Sequence, residues 1–150
     1  MKALLRFTPE NLTSLPPNHV FVFGSNLAGR HGAGAAKTAH ECFGAIMGCG
    51  LGLQGQSYAI ATKDADLKTL PLYYIEGQLA LFWLTAAQRP FKTFWLTRIG
   101  CGLAGYKSAT IGFAVWSALN HLRATEMLPD RVPFNVRLPA DPDFKKPFDL

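Results

Sequence analysis

Little in this chain points to covalent, metal or membrane support. Its 150 residues hold three cysteines, an odd number, and Cys42, Cys49 and Cys101 are spread apart with no Cys-x-x-Cys pair and no histidines at ligand spacing. That argues against a disulfide scaffold and a zinc-type centre, calls for no metal or other cofactor, and fits a reducing compartment. No apolar run approaches the ~20 residues that span a bilayer, and the run at Met1–Phe7 is too short for a signal peptide. A cytoplasmic protein with no membrane partner is expected. Charge is sparse too, at 17% of residues, and the basic side outweighs the acidic side to leave a net charge of +5. Such a surface suits an anionic ligand. The basic residues are scattered, with Lys145-Lys146 the only adjacent pair, which argues against a nucleic-acid face. There is no internal repeat, low-complexity tract or linker.

What is present is apolar material, 49% of the chain, enough for one packed domain over residues 1–150. Pro9, Pro16 and Pro17 make residues 8–19 an irregular lead-in. Short apolar runs at Val20–Phe23, Ser57–Thr62, Thr93–Arg98 and Val132–Leu138 read as strands. Helices are expected over 34–46, with Ala35, Ala36, Ala39, Cys42, Phe43 and Ile46 on one face, over Tyr74–Gln88, and from Ser108 to about Arg123. Ser108 would cap the last of these. Phe82, Trp83, Trp95 and Trp116 fall on core-facing positions. Residues 139–150, rich in Pro and Asp, read as an irregular tail, either extended or disordered or lying across the surface through Phe144 and Phe148. Alternating strands and helices predict an α/β fold: a three-layer α/β/α sandwich around a mixed, mostly parallel sheet.

In such a sheet, ligands bind beyond the carboxyl ends of the strands, where helix N-termini offer free N–H groups. Three loops reach that edge: 24–34, 62–66 and 99–107. The first (Gly24, Ser25, Asn26, then Gly29, Arg30, His31, Gly32, Ala33, Gly34 and Ala35) and the third (Gly100, Cys101, Gly102, Leu103, Ala104, Gly105 and Tyr106) are glycine-rich and lead into helices. Backbone N–H groups of such loops can converge on phosphate oxygens. The standard motifs do not apply: Arg30-His31 stands where a P-loop needs Lys-Ser/Thr, and there is no Gly-x-Gly-x-x-Gly. The glycines of Gly48–Gly55 are expected at the opposite sheet edge, as a turn or partner surface.

Over roughly residues 8 to 125 this arrangement resembles the macrodomain family, whose members bind ADP-ribose. Val22-Phe23-Gly24-Ser25-Asn26 followed by Gly29–Ala36 is similar to the family's first ligand loop. Thr97-Arg98-Ile99-Gly100-Cys101-Gly102-Leu103-Ala104-Gly105-Tyr106 is similar to its second diphosphate loop. The chain also resembles a bacterial and phage-borne group within that superfamily. The resemblance implies binding of ADP-ribose or a related nucleotide diphosphate-sugar, with Asn26 by the distal ribose, residues 29–35 by the phosphates, and Glu10 or Asn11 near adenine. The Arg-Ile-Gly-Cys-Gly-Leu string is similar to the branch that removes ADP-ribose from acidic side chains of proteins. There, a lysine at the position of Lys63 attacks the ribose anomeric carbon. The acid that follows the family string is replaced by Ala104, leaving Asp64 or Asp66 to take its part.

Each candidate has a plainer alternative. Lys63 is either a nucleophile, which requires a neutral amine, or a phosphate contact or solvated lysine. His31 is a phosphate donor, an acid or base, or a loop-surface residue, and Arg30 a bidentate phosphate fork or another surface residue. Cys101 is an activated thiol at a helix-leading loop or simply a small residue. Tyr106 either covers the ribose or packs beneath the next helix. Three functions remain in view: an ADP-ribose binder, a hydrolase acting on ADP-ribosylated protein or a small ADP-ribose derivative, and a protein-interaction scaffold.

Overall fold

The computed structural model describes residues 6–130, 133 and 135–149. Five strands form one sheet: β1 (His19–Asn26), β2 (Gly52–Gln54), β3 (Ser57–Lys63), β4 (Thr93–Leu96) and β5 (Val136–Arg137), in the order β2-β3-β1-β4-β5. β1 runs parallel to both β3 and β4, and β4 parallel to β5, while only β2 is antiparallel. The helices are α1 (Gly34–Cys42), α2 (Leu72–Ala87), α3 (Ser108–Ala124) and α4 (Pro142–Lys145).

Strand alternation sorts the side chains into two layers of core. Val20 and Val22 of β1, Ile60 of β3 and Phe94 and Leu96 of β4 pack against α2 and α3. Phe21, Phe23 and Ala59 face the other way, against Ala36 and Ala39 of α1 and the following Phe43 and Ala45. The result is the three-layer α/β/α sandwich with a mostly parallel sheet that the sequence pattern predicts. Phe82 and Trp83 are fully buried, and the Trp83 indole donates to the Val115 carbonyl at 2.9 Å, tying α2 to α3.

Several elements differ from expectation. β1 continues through Gly24, Ser25 and Asn26, with a register shift between Ser25 and Asn26, so these residues are strand and not loop. α1 stops at Cys42 because Gly44 turns the chain at positive φ, leaving Ile46 56% exposed. Trp116 is half-buried and lies against the exposed Phe113. Of the expected strand at Val132–Leu138, only Val136–Arg137 pairs with β4, while Arg131, Val132 and Phe134 lie outside the described residues. Ser108 does not cap α3. Lys107 holds the cap position without a side-chain bond, and the Ser108 hydroxyl donates to Asp141.

The tail docks through Phe144 and Phe148, as one of its two readings has it, but its backbone is not irregular. Residues 142–148 form α4 and a 3-10 turn, with Asp141 accepting from the Asp143 and Phe144 N–H groups as the helix cap. Phe144 is fully buried and rests on α3 at Gly112, where a Cβ would collide with the Phe144 carbonyl. Burying such a phenylalanine contributes roughly 1.5–3 kcal/mol, which outweighs the local preference of a Pro/Asp-rich stretch for irregular structure.

Candidate functional site

β1, β3 and β4 are parallel, so they deliver Asn26, Lys63 and the residues after Leu96 to the same edge of the sheet. A cavity of about 420 Å³ opens there. The first loop lines it with Asn26, Arg30 and Gly32 to Ala36, and the second with Gly100, Gly102, Leu103 and Ala104. Thr62, Lys63 and Leu67 stand between them, with Gly24, Thr97, Arg98 and Ile99 completing the wall. The two glycine-rich loops, far apart in sequence, thus share one cavity.

The first loop is locked from below. His31 is only 1% exposed: Nδ1 lies 3.2 Å from Ser25 Oγ, and Nε2 lies 2.9 Å from the Ile46 carbonyl and 3.1 Å from that of Cys49. Two carbonyls at Nε2 require a proton there, so Nε2 is the donor to both, and the Ser25 hydroxyl, which can donate or accept, pairs with Nδ1. His31 is therefore an internal staple, neither a loop-surface residue nor a ligand contact. Asn26 closes the same loop: its Nδ2 donates to the Arg30 carbonyl at 2.8 Å and its Oδ1 accepts from the Arg30 N–H at 3.0 Å. Gly29 holds positive φ and its backbone touches Gly48 and Cys49, where a Cβ would collide. The Gly48–Gly55 stretch reaches the opposite edge only at Gly55, which turns β2 into β3 beside Asn18 and His19. Its first residues brace the first loop, and Gly52–Gln54 form the edge strand β2. Ser25, Gly29 and His31 build the loop, while Arg30 and residues 32–36 face the cavity.

Those last residues include the start of α1. Ala33 at its cap position offers no side-chain acceptor, so no side chain competes for the first-turn N–H groups, and Gly34, Ala35 and Ala36 line the cavity. A helix N-terminus carries about half a positive charge and favours anions.

β3 presents Lys63 because its outer edge is held past the end of the short β2. The Gln78 amide exchanges two bonds of 2.7 Å with the Ala61 backbone, replacing a strand partner, and Lys63 then bridges to Thr69. The Lys63 carbonyl also accepts from the Leu27 N–H, fixing β3 to the first loop. Asp64 accepts from the Asp66 and Lys68 N–H groups at 2.9 Å each, shaping the next turn. Neither Asp64 nor Asp66 lines the cavity, and no carboxylate does among the described residues. Its charged groups are Arg30, Lys63 and Arg98, all cations.

The second loop is more exposed, with Leu103 at 75%. Thr69 Oγ1 donates to the Ala104 carbonyl at 2.9 Å, and the Tyr106 hydroxyl donates to the Leu70 carbonyl at 2.7 Å. Tyr106 packs on the core cluster and does not line the cavity, so it braces the loop and is not a lid. Cys101 and Gly105 are not lining residues either. Burial pushes the Cys101 thiol up from its ordinary value, and its Sγ lies 3.5 Å from the Ile99 carbonyl, an arrangement opposite to that of an activated thiolate.

Beside this cavity runs a second one of about 760 Å³, lined among others by Glu10, Asn11, Thr38 and Asp141. It shares Gly34, Ala35, Thr97 and Arg98 with the first. Arg98 Nη1 donates to Asp141 at 3.1 Å, and its Nη2 lies 3.9 Å from Glu10. Sequence reasoning left out Arg98, Thr62, Thr97, Leu67 and Asp141 as site residues. For Arg98 the signal was its place at the end of β4, directly before the glycines. For Asp141 there was none, because its position depends on long-range packing of α4.

No group of three His, Cys, Asp or Glu side chains that could hold a metal is found among the described residues. No helix among them is long and apolar enough to cross a membrane. No protein-family model matches the chain, and no curated protein or solved structure matches it.

Proposed function

We propose that this protein binds ADP-ribose or a related nucleotide diphosphate-sugar, the pyrophosphate lying in the smaller cavity and the nucleoside in the adjoining one. The observation that carries the reading is the smaller cavity itself. Backbone of both glycine-rich loops, the α1 N-terminus and the three cations Arg30, Lys63 and Arg98 wall it, with no carboxylate among the described lining residues. The charged side chains that line it all favour an anion, with Arg98 shared with Asp141, and the N–H groups of two such loops suit phosphate oxygens. Both cavities are of the size that small ligands occupy. The macrodomain resemblance adds the identity of the sugar nucleotide, and the lining of the larger cavity by Glu10 and Asn11 supports that reading.

A second reading is favoured by Lys63, which lines the cavity between the loops. A neutral amine there would attack the anomeric carbon and expel the group esterified to it, and water would then cleave the lysine adduct to free ADP-ribose and the amine, making the protein a hydrolase of ADP-ribosylated protein or of a small ADP-ribose derivative. The engagement of Asp64 in its own turn leaves that reaction without a nearby carboxylate, so binding is preferred to turnover. Calorimetric titration with ADP-ribose, AMP and ribose 5-phosphate tests the proposal. Micromolar to millimolar binding that requires the pyrophosphate is expected. Absence of both heat and thermal shift for all three would leave the interaction scaffold. Turnover that is lost in Lys63→Ala while binding persists would establish the hydrolase.

A further inference from the structure

The C-terminal segment does more than close the core. Asp141 stands where the two ends of the second glycine-rich loop come together. Its Oδ2 accepts from Arg98 Nη1 at 3.1 Å, at the start of the loop, and from Ser108 Oγ at 2.9 Å, at its end. Its Oδ1 accepts from the N–H groups of Asp143 at 2.9 Å and Phe144 at 3.4 Å, which anchors the carboxylate in the first turn of α4. The fully buried Phe144 in turn fixes α4 against α3. A carboxylate suits this place because its two oxygens accept several donors at once.

We propose that Asp141 is a positioning residue for the anion cavity, clamping both ends of the second glycine-rich loop so that the Arg98 guanidinium and the loop's N–H groups face the ligand's pyrophosphate. The identity of the ligand rests on the reading above. The loop needs such a clamp because Gly102, Leu103 and Gly105 are exposed, so core packing does not hold them. Its middle is tied by Thr69 and Tyr106, and its two ends by Asp141. The Asp141 carboxyl is held below the usual carboxylate range, chiefly by the Ser108 hydroxyl, so it stays ionised at neutral pH.

A different role would give the opposite sign. If Asp141 only neutralised Arg98, its removal would raise the cavity's positive potential and strengthen anion binding. The pair is open to water, with Arg98 48% exposed, so that effect is screened. Loss of a fixed guanidinium is felt in full by a ligand that depends on its orientation.

The test uses the full chain and two probes, ADP-ribose and inorganic pyrophosphate, by calorimetry. Asp141→Asn keeps an oxygen to cap α4 and removes the charge-assisted clamp, so its melting temperature should stay near that of the parent. Its affinity for both probes should fall about tenfold. Ser108→Ala, which leaves Arg98 and the helix cap in place, should lose about threefold, and this variant carries the test if Asp141→Asn melts early. In an Arg98→Ala background, Asp141→Asn should cost no more than about a further threefold, because the clamp's main object is gone. Unchanged or tighter binding in Asp141→Asn overturns the proposal, as does an equal loss with and without Arg98. Failure of the parent to bind ADP-ribose while it binds pyrophosphate would instead overturn the ligand assignment and leave the clamp to be judged on pyrophosphate alone.

Discussion

The loop after β1 is fixed from beneath by a buried imidazole, an amide bridge across Asn26 and Arg30, and the backbone of Gly48 and Cys49 pressed against Gly29. The loop after β4 is fixed from its flanks, by Thr69, Tyr106 and Asp141, and its outer residues stay exposed. Both are glycine-rich and both reach the same cavity. In the first, glycine serves close packing as much as ligand access. In the second, exposed glycines rely on surface bonds for their shape. A glycine-rich stretch is therefore not uniformly a ligand surface, and the neighbours of each residue decide which part is scaffold.

The contrast is broken most severely at His31. His31→Ala takes one donor from each of the Ile46 and Cys49 carbonyls, which keep the Cys49 N–H and the Gln54 amide, removes the partner of the Ser25 hydroxyl and an edge contact with Phe23, and leaves a buried void, for a loss of ~3 kcal/mol in urea unfolding. ADP-ribose binding should fall with it, since the first loop loses its anchor. Gly29→Ala forces a Cβ into the Gly48 and Cys49 backbone at positive φ and should cost ~2 kcal/mol by the same measurement. Lys63→Ala, by contrast, leaves stability unchanged and weakens pyrophosphate binding about tenfold in calorimetry, because it removes a cation and no packing. On the flank of the second loop, Thr69→Val should lower stability by only ~0.5–1.5 kcal/mol, seen as a modest fall in the denaturant midpoint.

A smaller effect lies away from the site. His19 Nδ1 accepts from the Trp95 indole at 2.9 Å, and burial, with a lesser effect from the charge of Arg137, holds the imidazole below its ordinary value of 6.5. The folded state thus binds fewer protons than the unfolded state just below pH 6.5, so stability rises with pH through that window and levels off above it. Stability measured between pH 5 and 7 should show a slight slope that His19→Phe flattens. A slope that persists unchanged would place its origin elsewhere.

Much of the fold was legible because strand alternation and helix-leading glycine loops are local signals. Val20 to Phe23, Ser57 to Thr62 and the helices starting at Gly34 and Ser108 all follow from them. The meeting of two loops at one sheet edge followed from parallel topology. What escaped was set by long-range packing. The packing of Gly29 on Gly48 joins a segment that reads as a ligand loop to one that reads as a turn or partner surface. His31 sits between Arg30 and Gly32, and nothing local marks it as buried. The tail looked irregular from its Pro and Asp content, whereas Asp141 and Pro142 are a helix cap and first turn that make sense only once Phe144 has found α3. For the same reason Asp141 could not be read as a partner of Arg98, a residue more than forty positions earlier.

In the proposed function, both loops hold one anion with their backbone. Titrating the ¹⁵N-labelled chain with ADP-ribose and following the glycine amides in ¹H–¹⁵N correlation spectra tests it most directly. The account predicts that Gly32 and Gly34 of the first loop and Gly100 and Gly102 of the second shift together along a single saturation curve, while Gly77 on α2 stays still. Shifts confined to one loop, separate curves for the two, or no shift in a folded chain would contradict it.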